Sequence, residues 1–242
     1  MEAFYRNDLA YIHAVGFEGF ARGAAPEVVR LLKNASVQVR RVMDVGCGAG
    51  PLTKTLTEAG FEVTGIDSSV EMLEIARTVV PAARFVNASA YDIQFGACEA
   101  IVALGETLTY HGAGADADNL LVKFFRGASS ALPKGGMLIF DLIELGEPSL
   151  AGRFWASSDD WAILVNTTED QSARRLVRQI ETFRRVGEFY RRGHEIHGVR
   201  LFDTRIVCDQ LAACGFATET ALFYGAKCLP PRRQAFFATR ID

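Results

Sequence analysis

The chain has 242 residues, 49% hydrophobic and 23% charged, with 26 basic against 29 acidic side chains and a net charge of −3. This length and hydrophobicity support a buried core without staples and exclude a disordered chain, and near-neutral charge gives no general attraction for nucleic acid or an anionic membrane. No apolar run approaches the ~20 residues that span a bilayer. The five cysteines form no C-x-x-C pair, which fits reduced thiols. Met1–Asp8 contains no basic stretch followed by an apolar one, so no secretory leader and a cytoplasmic location are expected.

Residues Tyr5 to Asn34 read as helical with a glycine-rich break from Gly16 to Gly23, and Pro26 suits the first turn of a second helix through Val28–Leu32. Val42–Val45 is a short buried strand, followed by a glycine turn and a helix opening near Pro51. Phe61–Ile66 is the next strand, and Ser68 or Ser69 caps a helix carrying Val70, Met72, Leu73 and Ala76. Arg84–Val86 and Ala100–Leu104 are strands, Asn119–Leu132 is a helix, and Met137–Phe140 is a fifth strand beyond the Lys134–Gly136 turn. This alternation predicts an α/β fold with a doubly wound, mostly parallel sheet. Trp161–Asn166, Leu176–Arg184 and Glu188–Leu201 then read as an antiparallel meander inserted after the fifth strand and covering one edge of the sheet. A helix from Thr204 to Cys214 and strands at Phe216–Tyr224 and Gln234–Ile241 complete the chain.

Asp44-Val45-Gly46-Cys47-Gly48-Ala49-Gly50 joins the first strand to its helix. Alternate glycines let the backbone turn sharply and approach a ligand, next to the unpaired N–H groups of a helix start. A dinucleotide turn needs Gly or Ala where Pro51 stands, and an acid at Asp44 repels pyrophosphate but attracts a cationic ligand. Asp67 closes the second strand 21 residues beyond Gly46, where a carboxylate can accept both hydroxyls of a ribose.

With these residues in place, the sequence resembles the class I, seven-strand S-adenosylmethionine-dependent methyltransferases. Val42–Gly50 is similar to their first motif, Gly65–Ser69 with Met72, Leu73 and Ala76 to their second, and Gly135–Ile139 to their fifth-strand motif. The resemblance implies S-adenosyl-L-methionine as donor and S-adenosyl-L-homocysteine as product. It implies that Gly46, Gly48 and Gly50 line the methionine portion, Asp67 binds ribose and Met72 packs on adenine, with Leu104 and Gly105 closing the site. Asp44, Ser68 and Ala90 are counted with them, and where relatives carry an acid after the third strand this chain has Ser89, so either Ser89 or Asp92 meets the adenine amino group. The length and the scarcity of apolar residues in the insertion point to a single domain: a helical lid (1–35), a donor-binding core (36–145), the insertion (155–202) and the C-terminal helix and strands (203–242).

The Pro-Pro-aromatic segment of nucleic-acid amino methylation is absent after the fourth strand, which points to nitrogen or oxygen of a small molecule and to no nucleic-acid or membrane partner. Candidate bases are His13, His111, His194 and His197, and candidate acceptor contacts are Tyr11, Tyr110 and Arg178. Tyr5, Tyr11, Phe17 and Phe20 would face the acceptor from the lid. His194-Glu195-Ile196-His197 is not a zinc motif, because on a strand only Glu195 and His197 share a face, so no metal is expected. The nine arginines between Gln171 and Ile206 are expected to pair mainly across the strands of the insertion. A nicotinamide-dependent oxidoreductase and a non-catalytic donor-binding module remain alternatives, and the assembly is expected to be a monomer or homodimer.

Overall fold

The computed structural model describes residues 4–110 and 116–241. Two helices, α1 (Asn7–Gly16) and α2 (Gly19–Lys33), precede a seven-stranded sheet. That sheet comprises β1 (Arg41–Val45), β2 (Glu62–Asp67), β3 (Arg84–Asn87), β4 (Ala100–Ala103), β5 (Met137–Ile143), β10 (Phe216–Ala221) and β13 (Arg233–Arg240). The connecting helices are α3 (Pro51–Glu58), α4 (Val70–Val79), α5 (Ala117–Ala131) and α6 (Thr204–Ala213), and a short 3-10 turn spans Thr107–Thr109. The strand order is β10-β13-β5-β4-β1-β2-β3, with β1 to β5 parallel and β13 antiparallel to both β5 and β10.

β4 and β5 are buried along their whole length, which is why they read as unbroken apolar runs. Two apolar clusters clothe the faces: Ile101, Phe124, Phe125 and Phe140 on one, Val28, Leu56, Val102 and Ile139 on the other. The strand order reverses between β1 and β4, and in open α/β sheets the crevice beyond that reversal is where ligands bind.

A second sheet follows β5, ordered β6-β7-β8-β9: β6 (Gly152–Ser157), β7 (Trp161–Asp170), β8 (Arg175–Val186) and β9 (Phe189–Arg200). It has one strand more than the sequence predicts, because β6 is almost wholly exposed and shows no burial alternation. Nor does it cover a sheet edge. Trp161, Ile163 and Ile180 pack on Leu9 and Ile12 of α1, while Leu176, Val199 and Leu201 pack on Ile143 at the end of β5. The insertion therefore roofs the carboxyl ends of the central strands.

Two further differences concern α2 and the strands near the end of the chain. Pro26 lies inside α2 rather than in its first turn. The helix runs through it because Ala24, Ala25, Val28 and Leu32 bury a continuous stripe, and that packing outweighs one missing N–H. The segment Phe216–Tyr224 divides at Leu222, with β11 (Phe223–Tyr224) turning back onto β12 (Lys227–Cys228). Ser69, of the two candidate serines, caps α4: its Oγ accepts from the Met72 N–H at 3.0 Å.

Candidate functional site

A cavity of about 450 Å³ opens beyond the carboxyl ends of β1, β2 and β4, within the usual range for small-molecule sites. Its floor is the glycine turn. The Gly46 and Cys47 N–H groups both donate to the Ile66 carbonyl, at 2.7 and 3.0 Å, which fixes the turn against the end of β2. Gly46 has φ +71°, and a Cβ there would stand 2.1 Å from Thr107 Oγ1, so only glycine fits. Gly46, Gly48, Asp67, Ser68, Met72, Ser89, Ala90, Leu104 and Gly105 all line this cavity, as does Asp92.

Asp67 is tightly held: Oδ2 accepts from the Gly48 N–H at 2.9 Å and Oδ1 from the Ser69 N–H at 2.8 Å. Burial raises its pKa, against these backbone donors. The carboxylate thus braces the turn while presenting its remaining lone pairs to the cavity.

Asp44 and Gly50 do not line the cavity. Asp44 is 2% exposed and lies behind the turn, where Oδ2 accepts from the Thr53 hydroxyl at 2.6 Å. Burial pushes its carboxyl up to about 7, with Asp67 adding to the rise. From the sequence Asp44 is expected to face the donor, whereas here it stands behind the turn and outside the cavity lining. Gly50 opens α3 at φ +88°, and a Cβ there would meet Ala76 and Val80, so it serves helix packing.

The opposite wall is aromatic and charged: Tyr5, His13, Phe17, Phe20, Tyr110, Glu106 and Arg233. Glu106 accepts from Arg178 through both oxygens, from Arg233 at 2.7 Å and from the Tyr110 hydroxyl at 3.2 Å. Burial would raise its pKa, but the two arginines outweigh that and hold it at about 2. Behind it, Asp141 accepts the N–H groups of Gly105 and Glu106 at 2.9 and 2.7 Å and lies 3.6 Å from Arg233 Nε. Burial lifts Asp141 to about 6, against the Arg233 charge.

The four histidines separate clearly. His13 lines the cavity, and burial lowers it to about 4. His194 is exposed and bonded to Glu181 at 2.7 Å. His197 is buried at 1% exposure against Glu195. His111 falls outside the described residues. Tyr11 turns away, its hydroxyl donating to Asp160 at 2.8 Å beneath the Arg184 guanidinium. Arg178 reaches Glu106 and Tyr110 but does not itself line the cavity.

Sequence reasoning missed Glu106, Asp141 and Arg233. Asp141 carried a signal, since a lone carboxylate interrupts the apolar run Met137–Ile143. The other two had none, because their pairing joins residues 127 positions apart. Among the described residues no cluster of ligating side chains could hold a metal ion.

Residues 42–136 match the family model described as a methyltransferase domain. A putative methyltransferase of Bacillus subtilis, YqeM, is 27% identical over 187 residues, covering 73% of each chain. An S-adenosylmethionine-dependent methyltransferase from Clostridium acetobutylicum superposes with a TM-score of 0.81 at 20% identity, over 98% of this chain and 99% of its own. The sugar N-methyltransferase KedS8 from Streptoalloteichus superposes with a TM-score of 0.77 at 20% identity, over 97% and 92%. Residues 42–136 thus carry a methyltransferase domain, and the chain as a whole shares the fold of S-adenosylmethionine-dependent methyltransferases. The domain match favours the methyltransferase reading over the nicotinamide one, for which Pro51 breaks the turn pattern.

Proposed function

We propose that the protein transfers a methyl group to nitrogen or oxygen of a small molecule, with the donor on the glycine-turn wall and the acceptor on the aromatic wall of the same cavity. The observation carrying this reading is the continuity of that cavity from Asp67, Gly46 and Gly48 to His13, Tyr110 and Glu106. Residues 36–145 then hold the donor, and residues 1–35 with the 155–202 insertion cover it.

S-adenosylmethionine supplies an electrophilic methyl carbon on a sulfonium, and the neutral leaving group needs little charge stabilisation. Orientation and exclusion of water carry most of the acceleration. Asp67 would accept the ribose hydroxyls, Met72 would lie against the adenine, and Ser89 or Asp92 would meet its amino group; all four line the cavity. The turn fits such a guest, since Gly46 and Gly48 bring bare backbone to the cavity wall. His13, neutral at pH 7, accepts a hydrogen bond from the acceptor's N–H or O–H and orients its lone pair. With a pKa of about 4 it is an orienting group rather than a strong base. A nitrogen acceptor is favoured by the likeness to a sugar N-methyltransferase and by the aromatic rings of the cavity wall, whose faces suit an amine.

Calorimetric titration with S-adenosylhomocysteine tests the donor half. Wild type binds, and Asp67→Ala loses about a hundredfold in affinity, as expected when charge-assisted hydrogen bonds disappear. Unchanged binding removes the ribose assignment. Radiolabelled donor with a panel of amines and alcohols tests the acceptor half. Binding without transfer to any of them supports the non-catalytic module instead.

A further inference from the structure

The motif His194-Glu195-Ile196-His197 has no part in the reaction described above. Strand alternation on β9 turns Glu195 and His197 inward, at 8% and 1% exposure, and Ile196 outward at 51%. The inward pair meets the segment that precedes α1. The Tyr5 N–H donates to Glu195 Oε2 and the Arg6 N–H to Oε1, each at 2.9 Å. The His197 Nε2–H donates to Oε2 at 2.9 Å, and the His197 ring stands edge-on to Phe4, Tyr5 and Tyr110 at 4.9, 5.1 and 5.7 Å.

The other side of Tyr5 reaches the donor wall. Its carbonyl accepts from the Ser69 hydroxyl at 2.8 Å, two residues beyond Asp67. Its own hydroxyl lies 3.2 Å from that of Tyr110. Phe4 and Tyr5 both line the cavity. Tyr5 and Asn7 take left-handed backbone angles, φ +54° and +36°. Side-chain-bearing residues hold such angles only where their surroundings over-determine them. Residues 4–6 are thus a strap drawn across the cavity, tied to α4 at one side and to β9 at the other.

We propose that Glu195, oriented by His197, is a positioning residue: its carboxylate clamps the backbone of Tyr5 and Arg6 and so holds the strap closed over the bound nucleoside and the acceptor. The proposal rests on the cavity being the donor site. It makes the insertion a working part of the catalytic cycle, since release of product requires the clamp to open.

Arg6 provides the test, because trypsin cleaves after it only when the strap lifts. The full chain and Glu195→Gln are digested briefly, and the Arg6–Asn7 cut is scored by mass spectrometry relative to other sites. A glutamine offers one acceptor oxygen and places an NH₂ against a backbone N–H. Cleavage in Glu195→Gln is expected to rise about tenfold, the effect of one lost charge-assisted bond on a local opening. S-adenosylhomocysteine should dissociate faster by a similar factor in a stopped-flow chase. Glu195→Asp, which keeps the charge, should fall between. A folded Glu195→Gln cut at the wild-type rate overturns the proposal, and so does faster cutting with unchanged release. Where Glu195→Gln does not fold, Glu195→Asp is judged by the same two readings. If wild type fails to bind S-adenosylhomocysteine, the donor reading fails and the proposal with it, while the cleavage comparison still reports whether Glu195 anchors the strap.

Discussion

Asp44 and Asp67 lie at the carboxyl ends of the neighbouring parallel strands β1 and β2, and their surroundings give them opposite duties. Asp67 meets backbone N–H groups and the cavity, whereas Asp44 meets one hydroxyl and the protein interior. Because the Asp44 carboxyl is raised from 3.8 to about 7, the folded protein binds more protons than the unfolded chain between those values. Its contribution to stability is therefore greatest at the acid end of that window and declines as pH rises through it. At about 1.4 kcal/mol per pKa unit the effect amounts to a few kcal/mol. Asp44→Asn still accepts from Thr53 but does not titrate. Urea unfolding at pH 5 and pH 7.5 should show a smaller loss in the variant than in wild type, and equal losses would refute the raised carboxyl. The charge pattern at this scale was only half legible: the sequence locates both acids at strand ends, but which one turns into the cavity depends on Thr53, nine residues on, docking against Asp44.

The glycine turn is the element that brings donor and acceptor walls together. It is pressed against Thr107 after β4, so it tolerates no side chain at Gly46. Gly46→Ala should cost about 2–3 kcal/mol and abolish S-adenosylhomocysteine binding, because either the turn or Thr107 must move. Gly60→Ala is the control: its φ of +95° also disfavours alanine, yet nothing lies near its Cβ position, so binding should survive. Thermal melting with a binding titration reads both. Strands β1, β4 and β5 and helix α4 were legible from sequence because their signals, apolar runs and a serine cap, are local. The course of α2 through Pro26 was not, since a buried stripe formed with distant residues overrides the local breaker.

Across the whole molecule, the insertion is tied to the body by charge. Arg192 pairs within the insertion, with Glu181, as the sequence predicts. Arg178, Arg184, Arg191 and Arg200 instead reach Glu106, Asp8 and Asp118 outside it. Asp8, at the start of α1, accepts Arg191 at 2.6 and 2.5 Å and Arg184 at 3.3 Å, which keeps its carboxyl below the ordinary range. Asp8→Ala should loosen α1 without melting the sheet. Hydrogen exchange should quicken about tenfold for amides in α1 and stay unchanged in β1, β4 and β5. Equal acceleration in both would mean that Asp8 supports the whole fold rather than the cover.

The sequence by itself determined the alternation of strands and helices, the glycine turn at its ligand-binding bend and the acid that ends β2. These follow from periodicity and backbone sterics within a few residues. Only the tertiary structure decided that the insertion roofs the strand ends, that His13 alone of the described histidines lines the cavity, and that Glu106 sits between two arginines. Those facts join residues 72 to 190 positions apart, and pairing at such separations is selected by packing and charge burial in three dimensions, which leave no periodic trace along the chain.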